Sequence, residues 1–162
     1  MNIYKWIAIL PLVLAIQYLV GSYIVQVNLV LAVVYIFSIL TITDRVGFAS
    51  VKPEAKAALF GASAGLIEDI LGGSIIGPSV FSKGMAGYLS CYLFSDLIFM
   101  WTPLWGSLAI GLLTLLDGFI IVTLKNTFSE MHISGPGSFA SVFYQALFNI
   151  PFGMFVRARS AG

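Results

Sequence analysis

An all-helical bundle of six membrane-crossing segments is the fold class this sequence predicts, and three observations predict it. Hydrophobic residues make up 59% of the chain and charged residues 9%, against about 45–50% and about 25% in soluble domains. Mean hydropathy is +1.00, and eight Lys/Arg with seven Asp/Glu in 162 residues are too few to solvate the surface of a soluble domain. The apolar residues also gather into six stretches separated by charge, proline or glycine. A helix rises about 1.5 Å per residue, so about 20 apolar residues cross the hydrocarbon layer. All 162 residues read as one domain.

The first stretch, 6–20, follows Lys5. A signal peptide is the competing reading. No small-x-small cleavage site follows cleanly and a second apolar stretch begins at once, so an uncleaved helix is expected. The second stretch is 27–41. The third is 57–71, extended by the neutral residues to 76. The fourth is 80–97 and the fifth 103–124. The sixth is 138–156, where Pro151 withdraws a backbone donor and clashes one turn back, so a kink is expected near Phe148. Asn149 and Gln145 stand where they could satisfy the freed carbonyl.

Between these stretches, 44–56 is the clearest loop, with Asp44, Arg45, Lys52, Glu54 and Lys56 around Pro53. The second is 125–137, with Glu130, His132 and the turn-forming Gly135-Pro136-Gly137. Residues 21–26 and 72–79 are short connections. Six crossings put both termini on one side, with Lys5, Arg45, Lys52, Lys56, Arg157 and Arg159, and leave Lys83 and Lys125 on the other. Positive charge collects inside, so both termini are expected in the cytoplasm.

Several function classes fall away. A net charge of +1 makes no field for nucleic acid. One cysteine, Cys91, cannot form an intramolecular disulfide, and one histidine, His132, cannot build a Cys/His metal cluster. Neither a Ser-His-Asp set nor a phosphate-binding loop is present, and no cofactor is expected. Cys91 lies in an apolar run and reads as core.

The informative residues are polar ones inside apolar stretches, since a charge at the centre of a membrane costs about 2.5–3.5 kcal/mol on insertion scales. They are Glu68 and Asp69 in the third stretch, Lys83 in the fourth and Asp117 in the fifth, with Gln17, Asn28, Gln145 and Asn149 as neutral additions. Gly61, Gly65 and Asp69 recur every four residues, followed by Gly73 and Gly77. Small residues at that spacing let another helix approach closely, and both acids flank the same stripe. Lys83 starts the fourth stretch on the same side as those acids. A Lys83–carboxylate pair is expected; the alternative is an ammonium that snorkels to the headgroups alone. Asp117 has no cation nearby in sequence. It reads as an interhelical hydrogen-bond partner of Gln145 or Asn149, or as a proton or ligand site.

The order of these residues resembles the MreD family of rod-shape-determining membrane proteins. Gly65, Asp69, Gly73 and Gly77 reproduce a family pattern of roughly G-x-x-x-D-x-x-x-G-x-x-x-G. Ser82-Lys83 and Gly87-Tyr88-Leu89 are similar to its S-K…G-Y-L, Asn28-Leu29 to the opening of its second helix, Asp117 to an acid in its fifth helix, and Pro151 with Arg157 to its ending. The chain departs from the pattern at Val27, where a proline is usual, at Gln145, and at Glu68, an additional acid.

The resemblance implies a fold like that of the membrane-embedded substrate-binding subunits of energy-coupling-factor transporters. It further implies a non-catalytic scaffold in the bacterial cytoplasmic membrane, part of the cell-elongation machinery that makes peptidoglycan. Its partners would be membrane lipid, MreC, MreB, the RodA glycosyltransferase and a class B penicillin-binding protein, with a homodimer left open. MreC would pack on the Gly61/Gly65 face. The alternative is a vitamin or small-molecule importer subunit whose cavity is lined by Glu68, Asp69, Lys83 and Asp117. An intramembrane enzyme using Asp69 and Asp117 as acid and base is the third reading.

Overall fold

The structure, a computed structural model, describes residues 3–21, 28–43, 51–73, 75–97, 102–128 and 136–155. Among them are six α-helices and no strand: α1 (Ile3–Gly21), α2 (Leu29–Thr43), α3 (Pro53–Leu71), α4 (Pro78–Tyr92), α5 (Pro103–Phe128) and α6 (Pro136–Phe155). A five-residue π-helical segment, Leu93–Leu97, continues α4. The all-helical class is the one expected. By length and composition α5, with 26 residues, is the one helix among the described residues long and apolar enough to cross a membrane. Shorter apolar runs occupy Ile9–Leu19 and Leu29–Ile42. The basic residues Arg45, Arg157 and Arg159, with His132, lie outside the described residues, as does the side chain of Lys5.

Proline explains most of the helix starts. Pro53, Pro78, Pro103 and Pro136 each occupy the first position of a helix, where the missing N–H would have had no partner and the fixed φ is already helical. Two boundaries therefore differ from expectation. The third helix begins at Pro53, inside the charged segment that reads as a loop, and Pro136-Gly137 opens α6 instead of making a turn. The third helix also stops at Leu71, short of the 76 expected. Gly72 caps it, donating to the Glu68 carbonyl at 2.8 Å, and Gly73 turns with φ +58°.

The core is built around α2. One face of α2 (Val30, Val34, Phe37) packs with Trp6, Leu10 and Leu14 of α1 and with Phe60 and Ala64 of α3. Phe37 and Phe60 stack with centroids 4.0 Å apart, and Trp6 meets Phe37 edge-on at 5.3 Å. The other face (Leu31, Tyr35, Ile39) packs with Ala86 of α4, Phe94 and the Ala109, Ile110 and Leu113 row of α5. Tyr35 Oη donates to the Gly106 carbonyl at 3.1 Å, so this large polar residue is satisfied inside the core.

The closest helix pair is α3 against α4. A Cβ at Gly61 would meet the carbonyl of Lys83, one at Gly65 the carbonyl of Ser79, and one at Gly87 the carbonyl of Ala57. Those contacts advance four residues along α3 as they retreat four along α4, which is an antiparallel pair in register. Absent side chains are what let the two backbones touch. The pair α5 and α6 does the same: a Cβ at Gly153 would strike the Gly106 carbonyl, and one at Gly118 the side chain of Val142.

Candidate functional site

The tight α3–α4 contact fixes where the polar residues go. Glu68 and Asp69 are adjacent on a helix, so their side chains diverge by about 100°. Asp69 is buried and turns toward the start of α4, where its Oδ2 accepts the backbone N–H of Gly77 at 2.9 Å and of Ser79 at 3.2 Å. Two of the orphan donors at the N-terminus of α4 are thereby satisfied by a carboxylate from another helix, whose charge also suits the positive end of the α4 dipole. Gly77 can present its N–H this way because its φ of +137° is open to glycine. Asp69 Oδ1 is buried without a partner.

Glu68 turns the other way, between α1 and α4. Gln17 donates to its Oε1 at 3.3 Å, and Lys83 Nζ lies 2.6 Å from its Oε2. Lys83 is wholly buried, and its second counter-charge is Asp117 Oδ2 at 3.7 Å. The expected lysine–carboxylate pair is present. Its partners are Glu68 and Asp117, while Asp69 serves the α4 backbone. Asp117, which has no cation nearby in sequence, acquires one through the fold.

Asp117 is also held by neutral donors. Asn28 Nδ2 donates to Oδ2 at 2.6 Å, and Ser82 Oγ donates to Oδ1. Asn28 does two further things: its Oδ1 caps α2 by accepting the N–H of Leu31 at 3.1 Å, and its carbonyl accepts Asn149 Nδ2 at 3.3 Å. Gln17 Oε1 takes a second α2 donor, the N–H of Val30, at 3.0 Å. Asn149 Nδ2 also reaches Thr114 Oγ1 at 3.1 Å, while its Oδ1 is buried and unpartnered. The network thus ties together all six helices.

Three expectations change here. Asn149 serves Asn28 and Thr114, so it neither bonds Asp117 directly nor repairs the carbonyl freed by Pro151; α6 runs through Pro151 to Phe155. Gln145 is half-buried one turn before Asn149 on α6. Gly73 and Gly77 are not part of a packing face: a Cβ on either would meet nothing within 4 Å, and both have positive φ. They shape the hairpin between α3 and α4. Finally, the Gly61/Gly65 face is covered by α4 of the same chain, so no partner helix can occupy it.

Ser79 and Thr114 carry no mark in the sequence, and neither Gln17 nor Ser82 has a role that the sequence assigns. Small hydroxyl residues in apolar helices usually bond their own preceding turn, as Thr114 does to Ile110 at 2.7 Å. Nothing local distinguishes the ones that also serve a neighbour. No group of three or more His, Cys, Asp or Glu among the described residues is arranged to hold a metal ion. The arrangement is chemically an inward-facing charge cluster, with its acceptor oxygens largely occupied by donors of the protein itself. In comparisons with family profiles, curated proteins and solved structures, nothing matches this chain.

Proposed function

We propose that the chain is a non-catalytic, membrane-embedded scaffold of the bacterial cell-elongation machinery, MreD-like, which binds MreC by helix packing and sits in the cytoplasmic membrane with both termini inside. Lipid contact is supported by large apolar side chains exposed on the outside of the bundle, such as Leu12, Leu59, Phe81, Leu112 and Phe143. An aqueous surface does not favour so many at once.

The observation that carries the scaffold reading is the inward closure of the charges. Glu68, Lys83 and Asp117 neutralise one another in large part, and Asp69 is engaged by α4. Binding sites for polar small molecules keep convergent polar groups open to a pocket, so this pairing favours a structural role over an importer's ligand site. The Gly65-Asp69-Gly73-Gly77 pattern is likewise used up within the chain, by close approach at Gly65, helix capping at Asp69 and two positive-φ turns. The partner helix then packs on an exposed apolar face, since α4 covers Gly61 and Gly65.

The test is a pull-down of the full chain from detergent-solubilised native membranes, read by mass spectrometry. Recovery of MreC with MreB, RodA or a class B penicillin-binding protein is the expected result. Recovery of an ATPase pair with a transmembrane coupling subunit would overturn it in favour of an importer.

A further inference from the structure

The outer surface of the α3–α4 hairpin carries its positive charge at one end. Lys52 and Lys56 lie at the start of α3, and no Lys, Arg or His follows from 57 to 82. The Lys56 N–H donates to the Lys52 carbonyl at 3.2 Å, which sets Lys56 one turn along on the same side of the helix. Lys52 is exposed and Lys56 half-buried. Neither forms an ion pair with another described residue. Glu54 lies about 200° round the helix from both lysines, on the side of Gly61. Its charge there suits the positive end of α3.

Beyond the lysines the same surface turns apolar, with Leu59 and Leu66 exposed on α3 and Phe81 and Met85 exposed on α4. Small residues make a floor between these two rows. A Cβ at Gly84 would come within 3.4 Å of Ala62 Cβ and 3.5 Å of the Ala58 carbonyl, and all three residues are half-buried. Ser63, the polar residue on this face, is satisfied by donating to the Phe60 carbonyl at 2.8 Å. The antiparallel register puts Tyr88 at the height of Lys56 and Tyr92 at the height of Lys52. Both rings are exposed and nearly parallel, with centroids 6.3 Å apart. Tyrosines and lysines at one height, with continuous apolar surface below, are the pattern of a headgroup level. The helix rises about 15 Å from Lys56 to Leu66, half of the roughly 30 Å of a bilayer's hydrocarbon.

We propose that the α3–α4 hairpin binds one anionic phospholipid, with its phosphate between Lys52 and Lys56 and an acyl chain along Ala58, Ala62 and Gly84. This rests on the membrane-embedded reading above and names one lipid class for one face. Charge complementarity selects the headgroup. A zwitterionic lipid brings its own ammonium and gains less from two lysines, whereas an anionic lipid gains about fivefold from each. The apolar groove selects a lipid over a free anion, because it rewards only a ligand with a hydrocarbon tail. The exposed faces of α1 and α6 stay open to a partner helix, with Leu12 and Ile16 on one and Phe143 and Phe148 on the other.

The experiment is native mass spectrometry of the full chain in detergent with equal amounts of phosphatidylglycerol and phosphatidylcholine, reading the ratio of the two adducts. The wild type should favour phosphatidylglycerol by about 25-fold, about fivefold for each lysine. Lys52→Gln and Lys56→Gln should each lower the ratio about fivefold, and the double variant should bring it close to unity. Lys125→Gln removes the same charge from the last turn of α5 and should leave the ratio nearly unchanged. Ala62→Leu fills the floor and should lower retention of both lipids. Size-exclusion chromatography selects variants that fold. A wild-type ratio of unity would overturn the proposal, as would a double variant that keeps the wild-type ratio or a Lys125→Gln loss as large as that of Lys56→Gln. Displacement of phosphatidylglycerol by millimolar inorganic phosphate would also overturn it, by making the lysines a free-anion site. Flotation with phosphatidylcholine vesicles separates this proposal from the reading beneath it. A chain that floats without preferring either lipid retains the membrane reading and loses this site; a chain that does not float loses both.

Discussion

Gly65 and Gly73 are the same residue doing opposite jobs, and substitution separates them. At Gly65 a Cβ would enter the backbone carbonyl of Ser79, which cannot rotate away. Gly65→Ala should push α4 off α3 and cost about 1–3 kcal/mol or more as overpacking. At Gly73 space is open and only the φ of +58° resists, so Gly73→Ala should cost about 1–2 kcal/mol. At Gly84 the nearest atom to an added Cβ is Ala62 Cβ at 3.4 Å, and Gly84→Ala should be close to neutral. Thermal unfolding in one detergent should rank the three in that order; a Gly84→Ala loss as large as that of Gly65→Ala would contradict the packing. Lys83 makes a second prediction at this scale. Lys83→Met strands two carboxylates and should cost about 3–5 kcal/mol. Adding Glu68→Gln and Asp117→Asn should recover much of that loss. Double-mutant cycles should give Lys83 stronger coupling to Glu68 than to Asp69, and equal couplings would sink the assignment.

At the scale of the element, helix ends are tied down by other helices. The N-terminus of α4 depends on Asp69 of α3, and that of α2 on its own Asn28 together with Gln17 of α1. Asp69→Ala should cost about 0.5–2 kcal/mol, the usual range for a lost cap. Its loss should appear as faster amide exchange at Gly77 and Ser79 while the centre of α2 stays protected. Uniform loosening of all helices would argue against a local cap. Much of this architecture is legible in the sequence. The six apolar stretches mark the helices because burial or lipid demands continuous apolar surface, and the small-residue stripe marks the α3–α4 contact. Pro53 and Pro136 mislead because proline signals a loop and the first turn of a helix equally well. Asp69 stands out in the sequence, but its partner does not. Its spacing from Gly61 and Gly65 gives its face, whereas its bonding depends on Gly77 taking a φ that sequence does not announce. Asp117 acquires Lys83 only because α4 and α5 pack side by side, a tertiary fact with no local trace.

For the whole molecule, α2 divides the core in two, and the polar network joins the halves at one end of α2. If the network and both clusters form one cooperative unit, no helix should open far below the global unfolding free energy. Cys91 can report on this, because it is the one cysteine and is fully buried on α4. A maleimide cannot reach it without movement of α4 against its neighbours, and a thiol enclosed this way reacts only through opening. Labelling of the folded chain should therefore be slow and should accelerate with denaturant at the same midpoint as loss of helical signal. Lys83→Met should raise the labelling rate in proportion to its loss of stability, about 100-fold for about 3 kcal/mol, since each 1.4 kcal/mol is tenfold in an equilibrium. Faster labelling with unchanged global stability would mean that α4 opens on its own. The network would then be a local clasp on the α3–α4 hairpin, and the bundle two independent units meeting along α2.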